Sequence, residues 1–341
     1  MSKQELESTA NAMVAPGKGI LAMDESTPTC KTRFEKMGIA CTEDNRRAYR
    51  DMLVTTDGLS EFIGGAILFD ETIRQKTLAG TPFAEHLAKV GITPGIKVDK
   101  GAKDLAAHPG EKVTEGLDGL RDRLAEYKEI GARFTKWRAV ITIGEDIPTR
   151  GCIEANAHAL ARYAGLAQEA GLVPIVEPEV LINGNHTIER CYEVTDAALR
   201  TVFNELATQR IYFDGMVLKP SMVISGLDCP QRAGVEEVAM QTVRCLLNTV
   251  PAAVRGVAFL SGGQSNEEAT AHLNAMHNLG IDLPWPLTFS YARALQQPAM
   301  ENWKGDAANV GAAQKALYGR ARLNGAAALG RYNESMEKEA A

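Results

Sequence analysis

Eight short apolar runs, each bounded by Gly, Pro or charge and most followed by a longer amphipathic stretch, constrain this chain more than any other feature of it. They are Gly19–Met23, Gly65–Phe69, Gly95–Val98, Phe134–Arg138, Val173–Val176, Met216–Lys219, Val257–Leu260 and Leu287–Ser290. Their apolar side chains fall at odd and even positions alike, which suits strands buried on both faces, the condition of a parallel sheet. Leu117–Ile130, Ile153–Ala170, Ile188–Leu206 and Val235–Leu247 read as the intervening helices, and Ser265 with Glu268 forms an S-x-x-E capping box that starts another. Eight strand–helix units predict an α/β fold, a closed (β/α)8 TIM barrel. Residues 1–341 are expected to form one such domain, with an N-terminal helical extension and a short flexible C-terminal tail from Asn333 to Ala341.

A chain of 341 residues that is 45% hydrophobic can bury one large core. Its net charge of -6 argues against a nucleic-acid partner held on a broad basic surface, while a small anion needs only a local cluster of Lys and Arg. The first residues, Met1 to Glu7, lack the apolar stretch of a signal peptide, and no later segment has the length and apolarity of a membrane span, so no membrane partner is expected. Cys30, Cys41, Cys152, Cys191, Cys229 and Cys245 are scattered without C-x-x-C spacing, which suits reduced thiols and a cytoplasmic location. The six histidines fall outside the strand ends and form no H-E-x-x-H motif, so no metal and no other cofactor is expected. His272 and His277, five apart, are expected on the surface of a helix.

In β/α barrels the chemistry collects where the strands end. Here those positions carry Asp24, Lys97, Asp99, Lys136, Arg138, Glu177, Glu179, Lys219 and Arg293. Residues two apart share a face, so Lys136 with Arg138, and Glu177 with Glu179, each aim two charges in one direction. Lys219 closes an apolar run and precedes Pro220. Burial and a second cation such as Lys136 both disfavour an ammonium, so a lysine so placed can offer a neutral amine to a carbonyl; reaching solvent or pairing with a carboxylate is the alternative. Glu177 suits the acid–base work of iminium formation, or is simply a charged rim. Asp24 suits a second proton transfer, or serves as an N-cap or ion-pair partner. The Leu260-Ser261-Gly262-Gly263-Gln264-Ser265 run, after the seventh candidate strand, offers backbone N–H groups to an anion, or is only a tight turn. Arg293 would add a charge-assisted grip on phosphate.

Seven runs together resemble the motifs of the class I fructose-1,6-bisphosphate aldolase family, in order and across nearly the whole chain: Asp24-Glu25-Ser26-Thr27, Gly95-Ile96-Lys97-Val98-Asp99-Lys100-Gly101, Lys136-Trp137-Arg138, Val176-Glu177-Pro178-Glu179, Leu218-Lys219-Pro220, Leu260 to Ser265 and Phe289-Ser290-Tyr291. The resemblance implies a Schiff base on Lys219, with Glu177 as its acid–base partner, Asp24 and Lys136 assisting, and Glu179 orienting the lysines. It implies C1-phosphate contacts at Ser261, Gly262 and Arg293, and contacts toward the rest of the sugar and its C6 phosphate at Ser26, Lys97 and Arg138. Thr29, Arg33, Leu260, Gly263, Ser290 and Ala292 complete the implied substrate-binding set. Implied too are sugar-phosphate substrates, glycolytic and gluconeogenic service and a homotetramer.

Three departures from the family pattern stand out. Thr29 replaces a serine and keeps its hydroxyl. Ala292 replaces a glycine, so a positive φ there would be costly. The chain ends at Glu339-Ala340-Ala341 without a terminal tyrosine. With no titratable aromatic among them, residues 333–341 are expected to be dispensable for cleavage. Another lysine-dependent barrel aldolase acting on a related ketose phosphate, or a barrel used only for binding another protein, is the competing expectation.

Overall fold

The computed structural model describes residues 2–340. Met1 and Ala341 lie outside them, and with Ala341 the chain end expected to lack a tyrosine. Among the described residues ten strands occur in chain order: β1 Gly19–Ala22, β2 Ile63–Leu68, β3 Thr93–Lys97, β4 Ala102–Asp104, β5 Lys112–Thr114, β6 Phe134–Ile141, β7 Val173–Val180, β8 Val217–Leu218, β9 Val257–Phe259 and β10 Leu287–Tyr291. Eight of them close into a barrel, β1-β2-β3-β6-β7-β8-β9-β10 and back to β1, and all the pairings in it are parallel. This is the (β/α)8 TIM barrel that the strand–helix alternation predicts. β4 and β5 form a separate antiparallel hairpin in the loop after β3. Their three residues apiece, exposed throughout β4, are too few to show an alternation in the sequence.

β7 runs past its expected end at Val176 to Val180, taking Glu177 and Glu179 into the sheet. Charge normally marks the end of a buried strand, but these carboxylates find cations on the neighbouring strand. β6 pairs with β7 in the register Arg138↔Glu177 and Val140↔Glu179. β8 stops at Leu218, although Lys219 still donates its backbone N–H to the Val176 carbonyl at 2.8 Å. Pro220 has no N–H with which to continue.

The barrel interior is filled by Ile20, Ala22, Ile67, Phe134, Val173, Ile175, Val217 and Ala258, which join Leu6, Ala10, Met13 and Val14 of the N-terminal segment. The helix Lys3–Met13, started by a capping box of Ser2 and Glu5, thus seals the end where the strands begin. Gly64 permits that close approach, since a Cβ there would lie 2.5 Å from the Ala12 carbonyl oxygen. With one end closed by hydrocarbon, the polar strand ends at the other end line the barrel's accessible mouth.

The expectation of a loose tail from Asn333 is corrected for the described residues. Ser335–Ala340 is helical, and Glu337 pairs with the buried Arg320 while accepting a hydrogen bond from the Tyr332 hydroxyl. A buried guanidinium needs a counter-charge, and no signal within the polar run itself reveals that need.

Candidate active site

A pocket of about 440 Å³ opens at the C-terminal ends of the strands, and all seventeen residues expected at the site line it. At its base four ionisable side chains meet, all less than one-tenth exposed. Lys219 Nζ lies 3.1 Å from Glu177 Oε1, Lys136 Nζ lies 3.1 Å from Glu177 Oε2, and the same Lys136 nitrogen lies 2.6 Å from Asp24 Oδ2. Two cations and two anions so arranged satisfy the requirement that buried charge be paired. Lys219 therefore does not reach solvent; it faces a carboxylate inside the pocket.

Electrostatics set the states of the two acids and of Lys136. Burial favours the protonated carboxyl of Asp24, but Lys136 and Lys219 outweigh it and bring its pKa down to about 2. Burial acts the same way on Glu177, and Lys136, Lys219 and Arg138 together hold it below the usual carboxylate range. For Lys136 burial opposes the charge, yet Asp24, Glu177 and Asp99 more than compensate and raise its pKa above the ordinary lysine value. Lys136 is thus a fixed cation. Glu177 touches both lysines and, among the described residues, is the carboxylate placed to exchange a proton with Lys219 directly.

Around this base the pocket is ringed by cations. Glu179, expected to orient the lysines, instead forms an ion pair with Arg138, whose guanidinium projects from the same strand as Lys136, and Lys97 lies 2.6 Å from Asp99. Ser26 and Thr29, their hydroxyls 3.2 Å apart, sit at the start of the helix Thr27–Lys36, and Arg33 from the same helix contacts Glu25 at 2.5 Å. On the opposite side come Leu260, Ser261, Gly262 and Gly263, then Ser290, Ala292 and Arg293. Gly263 has φ +72, and a Cβ on it would lie 2.3 Å from Ile182 Cγ2, so this loop requires glycine. Ala292 has φ -100, so the alanine replaces glycine without left-handed strain. The buried Ser290 hydroxyl has no hydrogen-bond partner among the described residues, as suits a group awaiting a polar ligand. Arg293 differs from the other cations: among the described residues its Nη1 donates only to the neutral oxygens of Asn266 and Gln297, and burial with the nearby Arg33 lowers its pKa.

Two acidic residues of the pocket had no assigned role in the sequence. Asp99, besides holding Lys97, accepts hydrogen bonds from the backbone N–H groups of Gly101 and Arg138. Its spacing of two from Lys97, the same rule that joins Lys136 to Arg138, could have found it. Glu25 holds Arg33 and accepts from Gln296 Nε2 at 2.9 Å. Strand alternation would turn it away from Asp24, but β1 ends at Ala22 and the rule lapses there.

His272, expected on the surface, is only 3% exposed, and His277 is half-buried with Nε2 2.9 Å from the Leu287 carbonyl oxygen. The helix Asn266–His277 packs both against the barrel. His272 Nδ1 lies 2.7 Å from Gln264 Oε1 and so supports the Ser261–Gln264 turn. Burial lowers its pKa from 6.5 to about 4. The unfolded chain then binds a proton that the folded one refuses between those values, so this histidine makes stability fall as pH drops from about 6.5 to about 4, by up to roughly 1.4 kcal/mol per pH unit. His272→Gln is expected to melt with a shallower pH dependence across that window. Parallel melting curves for variant and parent would contradict this.

Comparisons with known proteins agree with this geometry. Residues 5–341 match the model of the Glycolytic family, described as fructose-bisphosphate aldolase class-I. A probable fructose-bisphosphate aldolase class 1 from Xanthomonas campestris pv. campestris is 63% identical over 97% of this chain and 99% of its own length. The fructose-bisphosphate aldolase of Dictyostelium discoideum is 52% identical over 96% of this chain and 92% of its own. The solved aldolase of Plasmodium falciparum superposes with a TM-score of 0.95 at 48% identity, covering 97% of this chain and 95% of that one. With a family match spanning nearly every residue and a barrel mouth built around a buried lysine, the chain belongs to the class I fructose-bisphosphate aldolases.

Proposed function

We propose that this chain cleaves fructose 1,6-bisphosphate reversibly to dihydroxyacetone phosphate and glyceraldehyde 3-phosphate, in glycolysis and gluconeogenesis, through a Schiff base on Lys219. The observation that carries the assignment to Lys219 is its burial 3.1 Å from Glu177, beneath a pocket ringed by arginines and lysines.

A proton passing from Lys219 Nζ to Glu177 Oε1 leaves a free amine and a carboxylic acid. The amine attacks the C2 ketone. Glu177 then returns a proton to the carbinolamine hydroxyl, which leaves as water and yields the iminium. Asp24 takes the proton of the C4 hydroxyl, the C3–C4 bond breaks, and its electron pair moves into the enamine as glyceraldehyde 3-phosphate departs. The proton gained by Asp24 is balanced by one delivered to C3 of the enamine, and water then hydrolyses the resulting iminium, releasing dihydroxyacetone phosphate and restoring the amine. Lys136, a fixed cation between both carboxylates, keeps them ionised and offsets the charge that moves. Glu179 orients Arg138.

Arg293 and the Ser261–Gly263 backbone hold the C1 phosphate, with Leu260, Ser290 and Ala292 shaping that side. Ser26, Thr29, Arg33, Lys97 and Arg138 face the other end of the sugar. A phosphate contact persists from bound substrate to transition state, so it governs binding more than turnover. Arg293→Ala is therefore expected to raise KM for the bisphosphate on the order of ten- to a hundredfold, the worth of a charged hydrogen bond, with kcat little changed. An unchanged KM would remove Arg293 from the phosphate site.

A cytoplasmic location and a homotetrameric assembly belong to the same proposal. Six unbonded cysteines suit a reducing compartment, and Val235, Met240 and Leu247 leave apolar area exposed along the helix Val235–Thr249. Among the described residues, no helix is long and apolar enough to cross a membrane. Light scattering that returned the mass of one chain at working concentration would rule out the tetramer.

A further inference from the structure

We infer that Arg320 and Glu337, which lie outside the pocket, are positioning residues for Arg293 and hence for the phosphate end of the substrate; the inference rests on the role given to Arg293 above. Arg320 projects from the helix Val310–Ala327 and is 5% exposed. Its Nη1 donates to both Glu337 oxygens, at 2.8 and 2.7 Å. Its Nη2 donates to the Asn266 carbonyl oxygen at 2.9 Å and to Thr270 Oγ1 at 2.6 Å. Asn266 opens the helix that follows the phosphate loop, directly after its cap Ser265, and its side-chain Oδ1 accepts from Arg293 Nη1 at 3.3 Å. A chain of contacts thus runs from the C-terminal helix through Arg320 and Asn266 to Arg293.

Physical chemistry gives this chain a direction. Among the described residues Arg293 has only neutral acceptors, so it is aimed by Asn266 and Gln297 rather than by a carboxylate, and its aim is as firm as Asn266 is. Asn266 is clamped through its carbonyl by a guanidinium whose own charge is balanced by Glu337. Removing Glu337 leaves that buried guanidinium short of its counter-charge, free to turn toward Glu267 across the cavity of about 460 Å³ that both line. The clamp on Asn266 then loosens, and Arg293 with it. Residues 333–341 are accordingly not dispensable, and their deletion is expected to act as loss of Glu337 does.

The test compares Glu337→Ala, Arg293→Ala and the double variant in steady-state cleavage of fructose 1,6-bisphosphate, with melting temperature measured alongside. Glu337→Ala is expected to raise KM about three- to tenfold and to leave kcat within about twofold, yet to add almost nothing to KM once Arg293 is alanine, because coupled residues are non-additive. If Glu337→Ala does not fold, Glu337→Gln enters the same comparison. A general loss of packing would lower the melting temperature without this dependence on Arg293. An unchanged KM for the Glu337 variant, or increases that multiply in the double variant, would overturn the inference. An unchanged KM for Arg293→Ala alone would instead show that the phosphate role of Arg293 is wrong, and the inference would fall with it.

Discussion

Lys219→Arg is expected to abolish turnover, leaving less than about 10⁻⁴ of the parent activity, as loss of a catalytic nucleophile does. Guanidinium does not deprotonate in proteins, so arginine keeps the positive charge beside Glu177 but offers no neutral amine to a ketone. The same substitution should abolish covalent trapping. Borohydride added with dihydroxyacetone phosphate should inactivate the parent enzyme irreversibly, with the added mass mapping to Lys219, because only an amine nucleophile yields a reducible iminium. A chelator should leave parent activity unchanged. The opposite pair of results, an enzyme that survives borohydride but loses turnover to EDTA, would end the Schiff-base assignment together with the roles of Glu177 and Lys136. Retained binding of inorganic phosphate by Lys219→Arg would show that the variant still folds.

The second large effect belongs to Glu177→Gln, for which kcat should fall by about 10²–10⁴-fold, the usual contribution of a positioned acid–base group. Glutamine fills nearly the same volume and can still accept a hydrogen bond, so KM should move far less than kcat. Because Glu177 lies 3.1 Å from both lysine nitrogens, its loss also removes one of the two carboxylates in contact with Lys136 and, among the described residues, the carboxylate in contact with Lys219, leaving the pocket base one negative charge short. That charge excess adds to the barrier and lowers stability, and the melting temperature records the second part. The rate of borohydride trapping separates the possible steps: it should slow with kcat if Glu177 serves iminium formation. Trapping at the parent rate with slow turnover would move the role of Glu177 to a later step.

How far the site was legible from residues alone follows from the kind of information each rule carries. Period-two spacing put Lys136 with Arg138 and Glu177 with Glu179, and the structure brings both pairs into one pocket. The same spacing would have paired Lys97 with Asp99. Rules of this kind fail where the backbone leaves its regular form, as at Glu25, or where polarity conceals a buried contact, as at Glu337. His272 shows a similar failure, since a lone polar residue on a helix gives no sign of the Gln264 carbonyl that lets it be buried.

The sequence by itself determined the number of strand–helix units, the strands that carry the charged residues, and the glycines of the run after the seventh barrel strand. These are consequences of covalent neighbourhood, where periodicity, capping and φ preferences act over a few residues. Only the tertiary structure decided which charges meet. Asp24 follows β1 and Lys136 lies in β6, yet closure of the barrel brings their charged atoms to 2.6 Å across the mouth. Glu337 reaches Arg320 for the same reason, because the C-terminal helix folds back along the helix Val310–Ala327. An ion pair depends on distance through space and on burial, both of which are set by strand order and register around a closed sheet. That is why the sequence could supply the participants in the chemistry while the paired protonation states of Asp24, Lys136 and Glu177 had to wait for the fold.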